Sequence, residues 1–419
     1  MGPAGRKPES PADVEALMEK PFVVVGGGLA GLTAAIALAS KGCRVVLYEK
    51  SSRFGGRAGT LWRQGFALNF GPHALYSGGA AESMFRQWGI HFSGNRLALT
   101  DSSYFVAAGE KLPFIGTLAT SGLHKLLTAV NADSIEGSLK DWFEVESLPP
   151  DVQALICALV RLTAYCTEPE RISARAAIHQ LQLAFSKGVV YLDHGWETLT
   201  QGLVKKGRTL GVDFQANAPV RQIEPGVVRL QDGKMIPASG IVVATDWDGL
   251  AQLTTQQVAR PVRYRMALLD LGLRRIADSA KFGLGLDAPF YLSVHSTWAS
   301  LAPAGGSLVH VGKFLSPGER GQQTEIETFA DLLIPGWRKE VEVIRFLPGM
   351  VANGGVIVPS GRPEVDALRL DGVAICGDWV GSEGMLVDAS VSSALRAAAW
   401  VSNQHISRSR LQVSANLST

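Results

Sequence analysis

The run Pro21-Phe22-Val23-Val24-Val25 is apolar and β-branched and ends in glycines, which predicts a short strand buried on both faces. The small and apolar stretch "LAGLTAAIALASKG" follows, a helix stopped by Gly42, and then "CRVVLYE", a second strand. Together they make one βαβ unit. From residue 81 to 186 the period lengthens into helical patterns with charged faces, such as "SIEGSLKDWFEV" and "DVQALICALVRLTAY". Ser134 and Glu136 mark one helix start, and Pro149-Pro150 opens the next. Strand alternation returns in "RQIEPGVVRLQDGKMIPASGIVVAT", with a hairpin at Asp232-Gly233. "YRMALLDLGL", "PFYLSVHS" and "SLVHVGKFL" are further strands, and "ETFADLLIPGWRKEV" is helical. The chain closes with strand, loop and a small-residue helix in "GVAICGDWVGSEGMLVDASVSSALRAAAWVSNQ".

The chain therefore leaves one domain, builds another and comes back. The expected divisions are a flexible extension over 1–20, a nucleotide-binding domain over 21–80, 188–250 and 349–405, a second domain over 81–187 (helical) and 251–348, and a tail over 406–419. With 419 residues there is core for two or three domains. Apolar residues at 46% and charged residues at 19% exclude a disordered chain. A net charge of +2 gives no reason to expect nucleic acid as a partner. The four cysteines lack CxxC spacing and read as reduced thiols, which suits a cytoplasmic location. No segment approaches the ~20 apolar residues that span a bilayer.

The chemistry begins at Gly26-Gly27-Gly28-Leu29-Ala30-Gly31, a GxGxxG between strand and helix. Gly26 makes the turn, Gly28 admits a pyrophosphate to the backbone, and Gly31 lets helix and strand approach. The helix N-terminus, with Leu29 and Ala30, offers partial positive charge to the phosphates. Glu49, at the end of the second strand beside Lys50, accepts bonds from ribose hydroxyls and repels a 2′-phosphate. A second glycine turn, Gly55-Gly56-Arg57, follows almost at once, which a simple dinucleotide unit does not need.

On these residues the chain resembles the flavoprotein family of amine oxidases, phytoene desaturases and protoporphyrinogen oxidases, and is most similar to the phytoene desaturase-like branch. Glu49, Gly55-Gly56-Arg57, Gly65-Phe66 and Asn69-Phe70-Gly71-Pro72-His73 stand where that family has its acid, its GGR turn and the loop after it. The resemblance implies FAD, with Arg57 carrying a forked charge to the phosphate–flavin side. It also implies an α/β fold, with a Rossmann-like FAD-binding domain in discontinuous segments and an α+β substrate domain of mixed sheet and helices. Gly377-Asp378 resembles the family's second cofactor motif, with Asp378 toward the ribityl chain or pyrophosphate. Leu386, Val387 and Ala389 start the last helix, whose amides would face the flavin. Val220 would pack near the adenine. No cysteine follows Cys376, so the implied FAD is non-covalent.

Flavin supplies the redox step, so the protein's part is to orient and tune. His73 stands as a base or as a residue fixing its loop. Tyr76, His194, Trp196 and Trp379 stand as pocket walls or as core, and His295 and His310 as structural residues. The sequence holds no metal-ligand cluster. The strand "MALLDLGL" lacks the lysine that many amine oxidases carry near the flavin. The first expectation is thus an FAD-dependent dehydrogenase or desaturase of an apolar, isoprenoid-like substrate. An amine oxidase is the second, and a flavin-carrying binding protein without turnover the third. Segment "LPFIGTLATSGLHKLLTAV" reads as a lipid tunnel or membrane-surface contact, or else as core helices. With no second GxGxxG, electrons are expected from the substrate and not from a nicotinamide. Substrate identity, electron acceptor and oligomeric state stay open.

Overall fold

The computed structural model describes residues 20–276 and 279–417. All but Lys20 of the expected N-terminal extension lies outside them.

Two sheets organise the chain. The first is parallel, with strands in the order Asp213–Gln215, Val45–Tyr48, Phe22–Val25, Gly240–Val243 and Val373–Ile375. Its three central strands are buried at every residue, the signature of a sheet covered on both faces. The helix Leu29–Ala39 packs between this sheet and the last helix, Leu386–Leu417. Small side chains on both make the close approach possible. The expected boundary at 405 falls inside that last helix.

The second sheet is mixed and seven-stranded. Its order is Val341–Asn353, Tyr264–Leu273, Ser307–Leu315, Phe290–Val294, Phe282–Gly285, Ser103–Ala107 and Glu110–Pro113. Strand alternation sorts its two faces. Met266, Leu268, Leu308, Tyr291 and Phe314 point to the core shared with the helices Pro150–Ala164 and Ala174–Lys187. Ala267, Leu269, Val309, Val311 and Leu292 point to the core under the helix Gln323–Leu333.

The α/β reading holds, and several details differ from the expectations. The helix expected from Ser134 begins at Leu139, because Ser138 and Asp141 form a reciprocal capping box there. The helix expected through 341 ends at Leu333, and Gly336 turns left-handed before the strand Val341–Asn353 starts. That strand crosses the boundary expected at 348. Three short strands interrupt the segment expected to be helical, and two of them extend the mixed sheet. Among the described residues no helix is long and apolar enough to cross a membrane.

Candidate functional site

A cavity of about 1010 Å³ opens at the carboxyl ends of the parallel strands, where such sheets bind ligands. The glycine turn forms its floor. Gly26 has φ of +105°, which only glycine adopts at ease, and a Cβ there would press on the Ala244 carbonyl at 2.8 Å. A Cβ on Gly31 would sit 1.8 Å from the Gly26 carbonyl oxygen, so this position sets the spacing of helix and strand. Gly28 has ordinary extended backbone, and a Cβ there would meet nothing within 4 Å. Its emptiness serves whatever enters the cavity. Leu29 and Ala30 line the same floor at the helix N-terminus.

Glu49 holds this floor in shape. One carboxylate oxygen accepts the Gly27 N–H at 2.7 Å and the other accepts the Ser51 N–H at 2.8 Å. The side chain still lines the cavity beside Lys50 and Val220. The second glycine turn docks on the first, since the Gly55 N–H donates to the Gly27 carbonyl at 2.7 Å. Gly55 and Gly56 take φ of +118° and +53° and line the cavity with Arg57.

Arg57 joins the two ends of the chain. Its guanidinium forks onto Asp378, with Nη1 to Oδ2 at 2.8 Å and Nη2 to Oδ1 at 2.6 Å. Asp378 is 3% exposed and also accepts the Gly354 N–H at 2.8 Å. Burial works against its charge, and the Arg57 cation prevails, so the carboxyl stays below its usual range. Arg362, which no motif marks in the sequence, is buried behind this pair. It donates to the backbone carbonyls of Asp378, Gly381 and Gly384, clamping the loop 377–386 from within.

Gly377, Leu386 and Val387 also line the cavity. Leu386 takes φ of +56°, a strained state for a non-glycine residue, and opens the last helix. In its first turn the Asp388 N–H donates to the Met385 carbonyl at 3.1 Å, which leaves the amides of Leu386 and Val387 as those beside the cavity. Gly31, Gly71 and Ala389 are packed behind the lining. Pro72 lies on the other side, in a second chamber.

That chamber, of about 310 Å³, adjoins the cavity at Ala74, Tyr165 and Leu386, which line both. Its wall carries no charged side chain. Leu159, Leu162, Met266, Phe282 and Phe314 are part of it, and its polar side chains are Thr163, Tyr76, Tyr165, Tyr191 and Tyr291. Burial raises the pKa of all four phenols, so they stay neutral. Of the four, the sequence pointed only to Tyr76. The others come from a helix end and two strands with nothing local to mark them.

His73 lines the large cavity, and its chain neighbours Pro72 and Ala74 line the chamber. Its Nε2 is 3.0 Å from the Arg57 carbonyl, and its ring lies 5.1 Å from that of Trp196. Burial lowers its pKa to about 4, against the pull of that carbonyl. The ring opens onto the cavity and is only half-buried, so the full depression holds when the cavity excludes water. A neutral His73 donates Nε2–H to Arg57, which favours its loop-fixing role. Among the other wall candidates, Trp196 lines the cavity, Trp379 is core bonded to the Thr245 carbonyl, and His194 is exposed beside Trp62.

A family model described as flavin containing amine oxidoreductase matches residues 29–299. The chain is 26% identical over 397 residues to an all-trans-zeta-carotene desaturase of Myxococcus xanthus, covering 81% of this chain and 69% of that protein. It is 27% identical over 276 residues to a carotenoid 3,4-desaturase of Haloarcula japonica, covering 54% of this chain and 55% of that protein, little more than half its length. Among solved structures it is similar to an oxidoreductase from Methanosarcina mazei, with TM-score 0.72 and 15% identity over 90% of this chain and 99% of that one. Cyclohexylamine oxidase from Brevibacterium oxydans gives TM-score 0.68 and 15% identity over 92% and 99%. At that identity the two structures speak for the fold alone.

Proposed function

The chain belongs to the flavin-containing amine oxidoreductase family, and from that premise we propose that it binds FAD non-covalently in the large cavity and dehydrogenates a neutral, apolar, isoprenoid-type substrate in the chamber. It is a flavin-dependent oxidoreductase. The cavity suits an extended dinucleotide: its lining includes an open Gly28, the Glu49 carboxylate, the Arg57–Asp378 pair and the start of the last helix at Leu386 and Val387. FAD would supply the redox chemistry. Backbone amides at the glycine turn would hold the phosphates, and the start of the last helix would hold the ring.

The observation that carries the substrate class is the chamber wall. It meets the cavity at Leu386 and offers aliphatic and aromatic carbon with no charge. A charged or strongly polar molecule would lose its hydration there without compensation. The named activities of the Myxococcus and Haloarcula relatives support the same class. An amine substrate is the second reading. The cluster of tyrosine rings favours it, because aromatic faces attract cations. Against it, the strand Tyr264–Leu273 carries no lysine.

The test is anaerobic mixing of the holoenzyme with phytoene or ζ-carotene in detergent, and separately with putrescine or cyclohexylamine, following flavin absorbance. Bleaching by the carotenes and not by the amines is expected. Bleaching by the amines alone would overturn the substrate class. Acid precipitation should leave the yellow colour in the supernatant; colour retained by the protein would refute non-covalent binding.

A further inference from the structure

The mixed sheet carries a polar row inside its apolar core. Ser293, His310, Asp270 and Arg345 are direct cross-strand partners on four consecutive strands. Directly paired residues share a face, and this is the face on which Tyr291, Met266 and Phe314 line the chamber. Ser293, His310 and Asp270 are 0% exposed, as is His295, just past the end of the strand Phe290–Val294. Its outer member, Arg345, also donates to the Asn69 carbonyl and lies over the Phe70 ring, so that end braces the loop beside the cofactor cavity.

Its protonation pattern follows from its bonds. Arg345 Nε donates to Asp270 Oδ2 at 2.6 Å, so Asp270 is a carboxylate. It can only accept from His310 Nδ1, 2.5 Å from its Oδ1, so that nitrogen carries the hydrogen and His310 Nε2 is an acceptor. Tyr291 Oη lies 3.0 Å from His295 Nε2. If the phenol donates, His295 Nδ1 carries the ring hydrogen. His310 Nε2 and His295 Nδ1 are the two ring nitrogens of this group without a partner, one an acceptor and the other a donor, and they are not bonded to each other in the resting arrangement, so a transfer between them requires one ring to turn toward the other. The two rings are perpendicular with centroids 4.2 Å apart. The groups facing His295 are Tyr291, the Tyr191 ring at 4.0 Å, His310 and, further off, His73.

We propose that Tyr291 is the catalytic proton acceptor of the chamber, and that His295, His310 and Asp270 are positioning residues forming a buried relay behind it. This rests on the dehydrogenation reading. In that reaction one C–H bond of the substrate would break with its hydrogen leaving together with the electron pair, as a hydride, and the bound flavin would supply the oxidising equivalent. On the neighbouring carbon the C–H pair stays behind as the new C=C bond and the hydrogen leaves as a proton. Tyr291 Oη takes that proton and passes its own to His295 Nε2. His295 hands its Nδ1 hydrogen to His310 Nε2, where Asp270 stabilises the imidazolium. His295 ends neutral in its other tautomer. Burial holds the His295 pKa well below the ordinary value, so it passes a proton on and does not keep it.

The test compares wild type with Tyr291→Phe and His295→Gln as holoenzymes. Without substrate, nitrogen-15 histidine NMR should show a far-downfield His310 Nδ1 proton, and Tyr291→Phe should shift the His295 and His310 signals together. Unmoved histidine signals in that variant would overturn the relay. With ζ-carotene, Tyr291→Phe should slow anaerobic flavin reduction by about 100-fold or more, the scale of general-base catalysis. It should also abolish the solvent deuterium isotope effect while substrate affinity stays within threefold. An unchanged rate with the isotope effect intact would refute the catalytic role. His295→Gln should show the same loss and serves if Tyr291→Phe does not accumulate. If no carotene reduces the wild type, the substrate reading fails, and the NMR coupling alone still decides the relay.

Discussion

The cavity and the chamber adjoin, yet they are made differently. The cavity is built largely from glycine turns and helix ends, each supplied by a contiguous stretch such as 26–30 or 377–387, with one charge pair, Arg57–Asp378, tying the stretches together. The chamber is built from side chains that converge from residues 72 to 386, with no single motif supplying its wall. Backbone recognition serves a fixed ligand such as a cofactor. A wall of interchangeable apolar side chains can be retuned to a new substrate without touching the cofactor. If that separation holds, substitutions in one space should leave the other unaffected.

The sharpest break is expected within the glycine turn itself. Gly31→Ala drives a methyl into the Gly26 carbonyl and should cost on the order of 3–5 kcal/mol, read as a fall in Tm of the apoprotein. Gly28→Ala meets no protein atom, so apoprotein Tm should hold while FAD titration shows much weaker binding. Equal Tm values for the two would refute the distinct roles of these glycines.

Next in size is the pair that joins the chain ends. Asp378→Ala removes two charge-assisted bonds and leaves the Gly354 N–H unmet. Affinity for FAD should drop roughly ten- to a hundredfold, about 1.5–3 kcal/mol. The Asp378 pKa is depressed in the folded state, so its contribution to stability is present above the ordinary carboxyl pKa and is lost as pH falls below it. Acid melts should show this loss in wild type and not in the variant.

A smaller effect tests the chamber alone. Ala184→Trp projects into it from the helix Ala174–Lys187, remote from the glycine turns. Apparent affinity for ζ-carotene should weaken about tenfold, ~1.4 kcal/mol, with FAD affinity unchanged. A matching loss of FAD would show that the two spaces are coupled.

The smallest concerns Asp388. It is buried and accepts the Ala81 N–H at 2.8 Å, and desolvation lifts its pKa to about 6. A raised pKa means stability is full while the group is protonated and falls as pH rises from about 4 through 6. The N-terminus of the helix Ala80–Gln87 offsets part of this penalty. Asp388→Asn should therefore gain roughly 1 kcal/mol at pH 8 and nothing at pH 4, measured by thermal melts. A gain at both would mean that the carboxyl is not the cause.

The nucleotide-binding half was legible because its physics is local. A tight turn demands glycine, a phosphate site demands a helix start, and strand and helix periods differ, so Gly26 and Glu49 could be named from motif and spacing, whereas Arg57 and Asp378 were named from the family resemblance. The sequence also carried the strands Tyr264–Leu273 and Ser307–Leu315 in their alternation. It could not show that Asp270, His310 and Ser293 would lie side by side, because cross-strand register depends on how distant segments pair. Nor could it show Arg362 clamping a loop from behind, or Tyr165, Tyr191 and Tyr291 meeting in one wall. Each of those residues is ordinary in its own stretch. Only the packing of the mixed sheet against the helices brings them together, since an apolar side chain carries no record of which apolar neighbour it will meet.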